Sequence, residues 1–395
     1  MSRAHPTNLL SQSFTAIGFL PATQPHDDLM TVPSKTKQWT TAFDGVDKLQ
    51  LGEADVPEPK AGEVLVRIEA VSLNYRDVEV CRGAYNQPPS PLAPAAPLVP
   101  CSDMCGTVIV SSEPLLPPGT RVVSVFLQLH LAGPLAEHHL SSSLGHPLPG
   151  VLTQHRLFRA ESLVRTPVHL SAEEASCLPL AAVTAWAGLS WQNPLGRPLS
   201  CDGNETVLFQ GTGAVSLAGL QIARAAGFRT IITSSSDAQL RRARDAGVDC
   251  AINHRTHWEW REPVLAATQG RGADVIFDTG RGRTLRKAFE TVAFGGVINC
   301  IGYRSGEDRE DVDGDKPPRL QRLDVDELAL SRSVTLRAVV DGGKDQFEEM
   351  LRFYDRHQIK PFVAKVFPFA HAKEALQSLA EGEEHFGKVV IKMTE

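Results

Sequence analysis

Residues 206–216 decide the fold, and they read TVLFQGTGAVS. Residues 207–209 are a short apolar run of the kind that forms a buried parallel strand. Two glycines follow at once, and residues 217–227 then carry apolar side chains at helical spacing. A dinucleotide fingerprint needs this order of strand, glycine turn and helix, because the backbone must approach a pyrophosphate and offer it free N–H groups. The predicted pyrophosphate contacts are Gly211, Thr212, Gly213, Ala214 and Val215.

A second unit of the same kind comes next. Residues 229–233 are predicted to form a strand, and residues 238–246 a helix that Gly247 ends. Two such units in tandem begin a doubly wound parallel sheet. Further strands are predicted over 250–253, 274–278, 295–302 and 333–340.

The chain before residue 206 has a different pattern of apolar and polar residues. Short runs that alternate apolar and polar residues, such as 62–73, are separated by proline and glycine, which predicts short strands. Ser171 and Glu174 form a capping-box pattern, which predicts a helix running to Gly188. Near the end, residues 345–357 and 370–381 are predicted helices and 388–392 a last strand.

Composition excludes several classes of protein. The 395 residues suffice for two domains, and a net charge of −6 with 22% charged residues gives no basic stripe for nucleic acid or an anionic membrane. No apolar run is long enough to cross a bilayer. Seven scattered cysteines favour a reducing, cytoplasmic compartment over a disulfide framework. Residues 1–34 lack periodicity and are predicted to be a disordered tail rather than a transit peptide.

Two features invite a metal interpretation. Cys101 and Cys105 are close together, and residues 127–150 contain four histidines. There is no second cysteine pair, and the histidines lack further ligands at suitable spacing, so we predict core or turn cysteines and a polar loop.

Taken together, the chain from about Trp39 to Lys392 resembles the medium-chain dehydrogenase/reductase superfamily, and most closely its zinc-free, quinone-oxidoreductase-like branch. The blocks that carry the resemblance are 62–66, 72–77, 102–106, 178–188, 211–218, 233–237 and 385–391. It implies an α/β protein with a GroES-like β-barrel catalytic domain and a Rossmann domain, often dimeric or tetrameric. On this basis we expect the catalytic domain at 35–172, completed by 327–395, and the Rossmann domain at 173–326.

The resemblance also bears on zinc. Zinc-using relatives carry a cysteine where this chain has Asn74, a histidine near Ser102 and Asp103, and a further ligand near Ala181. A catalytic zinc requires three protein ligands, and only Asp103 could serve. We therefore expect no bound metal.

For the cofactor we expect NADP(H). An acidic residue after the second strand would favour NAD, but Ser234, Ser235 and Ser236 stand there, and Arg241 or Arg242 could supply positive charge. Relatives that prefer NADP often carry lysine and tyrosine where this chain has Gln239 and His254, which weakens this expectation. Solvent-exposed arginines are the alternative.

Without a metal, hydrogen-bond donors or a general acid must stabilise the substrate oxygen. By resemblance, Asn74 and Tyr75 lie beside the nicotinamide, Tyr75 is the candidate proton donor, and Asp77 orients its neighbours. The alternative is a packed Tyr75 and a structural pair of Arg76 with Asp77. Cofactor contacts are also expected from Thr184, His254, Gly302 and Tyr303. We expect Trp186 in the core and residues 339–342 along the cleft. Arg281 is expected either to narrow the pocket or to lie on the surface.

The residues and the resemblance together predict a zinc-independent, NADPH-dependent reductase of α,β-unsaturated carbonyl compounds or quinones. The resemblance also implies a homodimer and fits a role in secondary metabolism. A metal-free alcohol dehydrogenase is the first alternative, and a cofactor-binding protein with little catalysis is the second. The small-molecule substrate itself depends on loops 86–100 and 127–150, whose shape the sequence does not fix.

Overall fold

The computed structural model describes residues 32–85, 97–189, 205–280, 282–301, 324–382 and 385–393. Most of the predicted tail, part of the proline-rich loop, Arg281, Gly302, Tyr303 and the charged segment that follows them lie outside the described residues. Among the described residues, no helix is both long and apolar enough to cross a membrane.

The described strands and helices follow one another in two groups, antiparallel-rich first and alternating second. The strands are β1 Lys35–Thr40, β2 Gln50–Asp55, β3 Glu63–Ser72, β4 Asp103–Ser111, β5 Arg121–Ser124, β6 His155–Arg159, β7 Leu163–Arg165, β8 Thr206–Gln210, β9 Arg229–Ser234, β10 Cys250–Asn253, β11 Ala273–Asp278, β12 Val292–Ile301, β13 Thr335–Val339, β14 Val363–Pro368 and β15 Lys388–Lys392. The helices are α1 Tyr75–Cys81, α2 Glu137–Leu140, α3 Ala172–Ser176, α4 Val183–Leu189, α5 Ala214–Ala225, α6 Asp237–Asp245, α7 Arg261–Ala267, α8 Gly282–Thr291, α9 Val325–Arg332, α10 Lys344–His357 and α11 Ala372–Ala380.

Six parallel strands form the predicted doubly wound sheet. Their order is β10-β9-β8-β11-β12-β13, so the chain starts in the middle, winds one way and then returns to wind the other. The apolar run of β8 is buried on both faces, as a central parallel strand requires. Helix α5 lies so close to this strand that a β-carbon on Gly219 would come within 2.4 Å of the Phe209 ring. The Rossmann prediction is confirmed.

The remaining strands form the GroES-like part. One sheet runs β14-β15-β3-β4-β5-β7, and β6 also pairs with β3. The long β3 is its centre, since it pairs with β4, β6 and β15. The last strand of the chain thus completes a sheet begun near residue 63, as expected from the resemblance.

The expected end of the Rossmann domain at residue 326 is too early. Strand β13 pairs in parallel with β12 and is the sixth strand of the parallel sheet. Helix α10 then packs on α4, with the rings of Phe353 and Trp186 5.2 Å apart. The chain returns to the GroES-like sheet only with β14 and β15, because pairing decides to which sheet a strand belongs.

The connection between the two parts is a bent helical segment. Ser171 and Glu174 form the predicted capping box at the start of α3, with hydrogen bonds of 3.1 and 2.8 Å. The predicted single helix is interrupted, because Leu178–Ala182 makes a π-helical turn before α4. Such turns often occur at functional sites, and this one faces β4 and β5.

Candidate active site

The glycine turn after β8 has the geometry of a phosphate site. Gly211 has a φ of 75°, and Gly213 is the N-cap of α5. A β-carbon on Gly213 would have no atom within 4 Å, so the space in front of this exposed residue is open. Thr212, Ala214 and Val215 are half-buried around it. A pyrophosphate fits here, because it would occupy the open space and accept from the free N–H groups at the start of α5.

The end of β9 offers hydroxyl groups. Ser234 is 4% exposed, and its hydroxyl oxygen lies 3.5 Å from that of Thr212. Ser236 caps α6 by accepting from the N–H of Gln239 at 3.5 Å, and Ser235 is half-buried between these two serines. No carboxylate ends this strand. Hydroxyl groups and a helix N-terminus suit an anion better than a carboxylate would.

The other residues predicted to contact the 2′-phosphate lie on two elements. His254 follows β10 and adjoins the end of β9, whereas Arg241 and Arg242 lie on α6. The N–H of His254 donates to the Ser234 carbonyl at 3.0 Å, so the two strand ends adjoin. Burial lowers the pKa of His254, and the nearby cations Arg255 and Lys287 lower it further. Arg241 is exposed in the second turn of α6, and Arg242 stacks on the Phe386 ring at 4.6 Å. Arg255 and Lys287 are thus the cations near His254, and neither is evident from the sequence pattern.

Helix α1 presents the predicted catalytic residues. Asn74 and Tyr75 are half-buried at its start, whereas Asp77 is completely buried. The Asp77 carboxylate accepts from the N–H of Asn74 at 2.8 Å and lies 3.5 Å from the guanidinium of Arg76. Burial raises the pKa of Asp77 to about 6, although Arg76 opposes this shift. Asp77 is therefore in contact with the backbone of Asn74 and not with the cleft.

A buried ion pair lies directly behind Asn74. The Lys388 ammonium is 2.7 Å from one carboxylate oxygen of Asp103 and donates to the amide oxygen of Asn74, also at 2.7 Å. The side chains of Lys388 and Asp103 are 4% and 0% exposed. Ser102 completes the group, because its hydroxyl donates to Asp103 at 2.8 Å and lies 3.4 Å from the Asn74 amide nitrogen.

This group stands at the positions where zinc-using relatives were expected to carry their ligands. Among the described residues, no three histidine, cysteine or acidic side chains come together. Cys101 and Cys105 are core residues with no exposure. Three histidines of loop 127–150 pack on one another, with His130 stacked on His139 at 4.8 Å, whereas His146 packs against Phe43 and Tyr85. A divalent cation does not fit beside Asn74, because the Lys388 ammonium already takes both the amide oxygen and the carboxylate.

The segment after β13, which the sequence predicts to line the cleft, contacts α4 and carries a buried carboxyl group. Thr184 donates to the carbonyl oxygen of Val340 at 3.4 Å, which ties α4 to this strand end. Asp341 is 8% exposed, and one of its carboxylate oxygens has no partner among the described residues. Burial raises the pKa of Asp341 well above its usual value, and the charge of Asp103 raises it further. Trp186 is buried, as expected for a core residue.

Sequence reasoning missed Lys388 and the role of Asp103. Both residues belong to quoted blocks, but the only signal was a charged residue at the first position of each strand, directly before a mostly apolar run. Buried charges are rare unless they are paired, so each could have been suspected of having a partner. Which partner that was could not be known, because 285 residues separate them.

Comparison with known proteins identifies the family. Residues 60–168 match the family model for the alcohol dehydrogenase GroES-like domain, and residues 214–356 match the model for zinc-binding dehydrogenase. The chain is 34% identical over 352 residues to a zinc-type alcohol dehydrogenase-like protein of Schizosaccharomyces pombe, which covers 88% of this chain and 96% of the relative. A similarly named protein of Leptosphaeria maculans is 28% identical, with 87% and 94% covered.

Solved structures agree with this assignment. A crystal structure from Sinorhizobium meliloti, provisionally assigned as an alcohol dehydrogenase, has a TM-score of 0.78 and 34% identity, covering 92% of this chain and all of the other. The structure of an NAD-dependent alcohol dehydrogenase has a TM-score of 0.75 and 29% identity, with 91% and 100% covered. The fold with its two large sheets, the glycine turn and these matches show that the chain is an oxidoreductase of the medium-chain dehydrogenase/reductase superfamily.

Proposed function

We propose that the protein is a zinc-independent, NADPH-dependent reductase of α,β-unsaturated carbonyl compounds, quinones or related conjugated carbonyls. The observation that carries this proposal is the Lys388 ammonium, 2.7 Å from both Asn74 and Asp103. A fixed cation at this point leaves no ligand set for zinc, although relatives carry zinc in their names. Hydrogen-bond donors must then stabilise the oxygen of the substrate.

The cofactor is assigned to the carboxyl ends of the parallel strands. The turn from Gly211 to Val215 would hold the pyrophosphate, and Thr184 would contact the nicotinamide side. The choice of NADPH is supported by the hydroxyl groups at Ser234–Ser236 and by the cations near His254, Arg255 among them. A 2′-phosphate would find donors there and would meet no carboxylate at the strand end.

Residues at the start of α1 would supply a hydrogen bond to the substrate oxygen and a proton to its α-carbon. When bound, NADPH supplies a hydride to the β-carbon of the conjugated carbonyl. Negative charge then develops on the carbonyl oxygen, and this oxygen would accept a hydrogen bond from the side-chain amide N–H of Asn74. Tyr75 would deliver a proton to the α-carbon and recover it from water, which yields the saturated carbonyl. Asp77 holds the start of the helix in place through the N–H of Asn74.

The test is NADPH oxidation, measured by absorbance with a panel of enones and quinones and repeated with simple ketones. We expect turnover of conjugated carbonyls and no stoichiometric zinc by elemental analysis. About one zinc per chain would contradict the proposal, as would tight cofactor binding without any turnover, which would instead favour a binding protein with little catalysis.

A second candidate is a metal-free alcohol dehydrogenase or carbonyl reductase. The names of several relatives, which describe them as alcohol dehydrogenases, favour it. The same panel separates the two, because this candidate predicts turnover of simple alcohols or ketones and none of enones at the double bond.

We also propose a cytoplasmic homodimer. The six described cysteines are all free, as a reducing compartment would maintain them. Strand β13 is the edge strand of the parallel sheet as described. Leu336 on this strand and Leu330 on α9 just before it are 37% and 84% exposed, so a second copy could cover them. Light scattering on purified protein should give about twice the chain mass, and the mass of a single chain would contradict the dimer.

A further inference from the structure

The buried ion pair has a consequence for the residue in front of it. Lysine has three N–H donors and no acceptor, so only the oxygen of the Asn74 amide can face the Lys388 ammonium. The hydrogen bond of 2.7 Å therefore fixes which way the amide points. Its nitrogen must lie on the other side, where one of its two hydrogens faces the Ser102 hydroxyl at 3.4 Å and the second has no such neighbour in the part of the chain that the structure describes.

The ammonium also changes the strength of the amide as a donor. A cation on the amide oxygen draws electron density away from the nitrogen, and hydrogen bonds strengthen one another in this way when the local dielectric is low. Lys388 is 4% exposed and Asp103 is not exposed at all, so water does not screen the charge. Asn74 itself is half-buried at the start of α1.

Asp103 holds the Lys388 ammonium in place. Its carboxylate binds the ammonium at 2.7 Å, accepts from the Ser102 hydroxyl at 2.8 Å and lies 3.4 Å from the N–H of Leu180. The donors come from the loop before β4, from the π-helical turn and from β15, so the carboxylate that binds the lysine is itself held by three groups. Such a pair is costly to bury and adds little stability relative to apolar residues, which suggests that it is kept for another purpose.

We propose that Lys388 and Asp103 are positioning residues that make Asn74 a fixed, polarised hydrogen-bond donor to the carbonyl oxygen of the substrate. The inference rests on the proposed function. In this arrangement the chain's own ammonium acts through an amide and provides the stabilisation that a metal provides in zinc-dependent enzymes. The lysine itself does not touch the substrate.

The test is a mutant cycle between the ion pair and the amide. The double variant Lys388→Met/Asp103→Asn removes both charges together, so no unpaired charge is left buried. Asn74→Ala removes the donor, and Lys392→Met is the matched control, since Lys392 lies on the same strand but is exposed in its pair with Glu173. Steady-state kinetics, NADPH affinity and melting temperature are measured for each.

We expect Asn74→Ala to lower kcat about 100-fold, the usual effect of losing one donor to a developing oxyanion. The neutral pair should lower kcat at least tenfold with unchanged NADPH affinity, and combining the two should cost less than threefold beyond Asn74→Ala alone. Lys392→Met should behave as wild type. If the losses of the pair and of Asn74 multiply, or if the neutral pair keeps its kcat, the proposal is wrong.

Two further measurements keep the proposal testable. Should the neutral pair fail to fold, Lys388→Arg retains the charge and should keep kcat within about fivefold of wild type; a loss in folded protein as large as that of Asn74→Ala would overturn the proposal. If wild type reduces no conjugated carbonyl, the proposed function fails. The inference is then judged by the side-chain amide signal of Asn74 in ¹⁵N-asparagine-labelled protein, which must shift in the neutral pair and not in Lys392→Met.

Discussion

Alanine substitutions at two glycines of α5 should have different effects, one on cofactor binding and the other on the stability of the fold. Gly213 caps α5 with a φ of −75°, which alanine tolerates, and its added β-carbon would meet no atom within 4 Å. Gly219 lies two turns further along, and its added β-carbon would be 2.4 Å from the Phe209 ring. We therefore expect Gly213→Ala to impair cofactor binding and Gly219→Ala to impair folding.

The magnitudes follow from these contacts. In Gly213→Ala the new methyl group would occupy the space assigned to the pyrophosphate and displace it from at least one backbone N–H. A hydrogen bond to a charged group contributes about 1.5–3 kcal/mol, so NADPH affinity should fall about 10- to 100-fold. In Gly219→Ala the clash with a buried ring should lower the free energy of unfolding by about 1–3 kcal/mol.

Calorimetric titration with NADPH and urea unfolding of both variants form the assay. Gly213→Ala should unfold within about 0.5 kcal/mol of wild type, and Gly219→Ala should bind NADPH as wild type does while it remains folded. If Gly213→Ala binds NADPH normally, the cofactor does not approach this turn, and Gly211–Val215 do not hold the pyrophosphate.

Three other perturbations have clear expected results. Burial raises the pKa of Asp77 to about 6 from an ordinary value of 3.8, so the stability that its protonated form provides is present below about pH 4 and lost as the pH rises through 6. Relative to Asp77→Asn, the free energy of unfolding of wild type should thus fall by about 2 kcal/mol between pH 4 and 7, and a pH-independent difference in urea unfolding would contradict the shift. Ser234→Asp should reverse the preference for NADPH over NADH in titrations, because a carboxylate would repel the 2′-phosphate; an unchanged ratio would locate that phosphate elsewhere. Arg255→Ala should weaken NADPH binding about tenfold and leave NADH binding unchanged, whereas equal losses for both cofactors would argue against a phosphate contact.

Local sequence signals predicted local structure well. The strand, turn and helix around Gly211 could be read from residue order alone, since apolar runs and glycines determine them directly. The capping box at Ser171 and the last strand, Lys388–Lys392, were predicted to the residue for the same reason. The membership of β13 in the parallel sheet was missed in the domain boundaries, because a sheet's edge depends on pairing with a distant strand.

The candidate site was predictable only where it is local. Asn74 and Asp77 are three residues apart, and the capping contact between them follows from the start of α1. The contact of Lys388 with Asn74 joins residues 314 positions apart, so no periodicity or spacing indicates it. The raised pKa of Asp77 likewise depends on burial by packed strands and helices, which a sequence does not display.

We propose above all that this chain reduces conjugated carbonyls with NADPH and without a metal. The most direct measurement is the rate of NADPH oxidation by an enone before and after exhaustive dialysis against a strong chelator, with the zinc content determined on the same sample. We expect an unchanged rate and well under one zinc per ten chains. A zinc content near one per chain, with activity lost on chelation and restored by zinc, would contradict the claim.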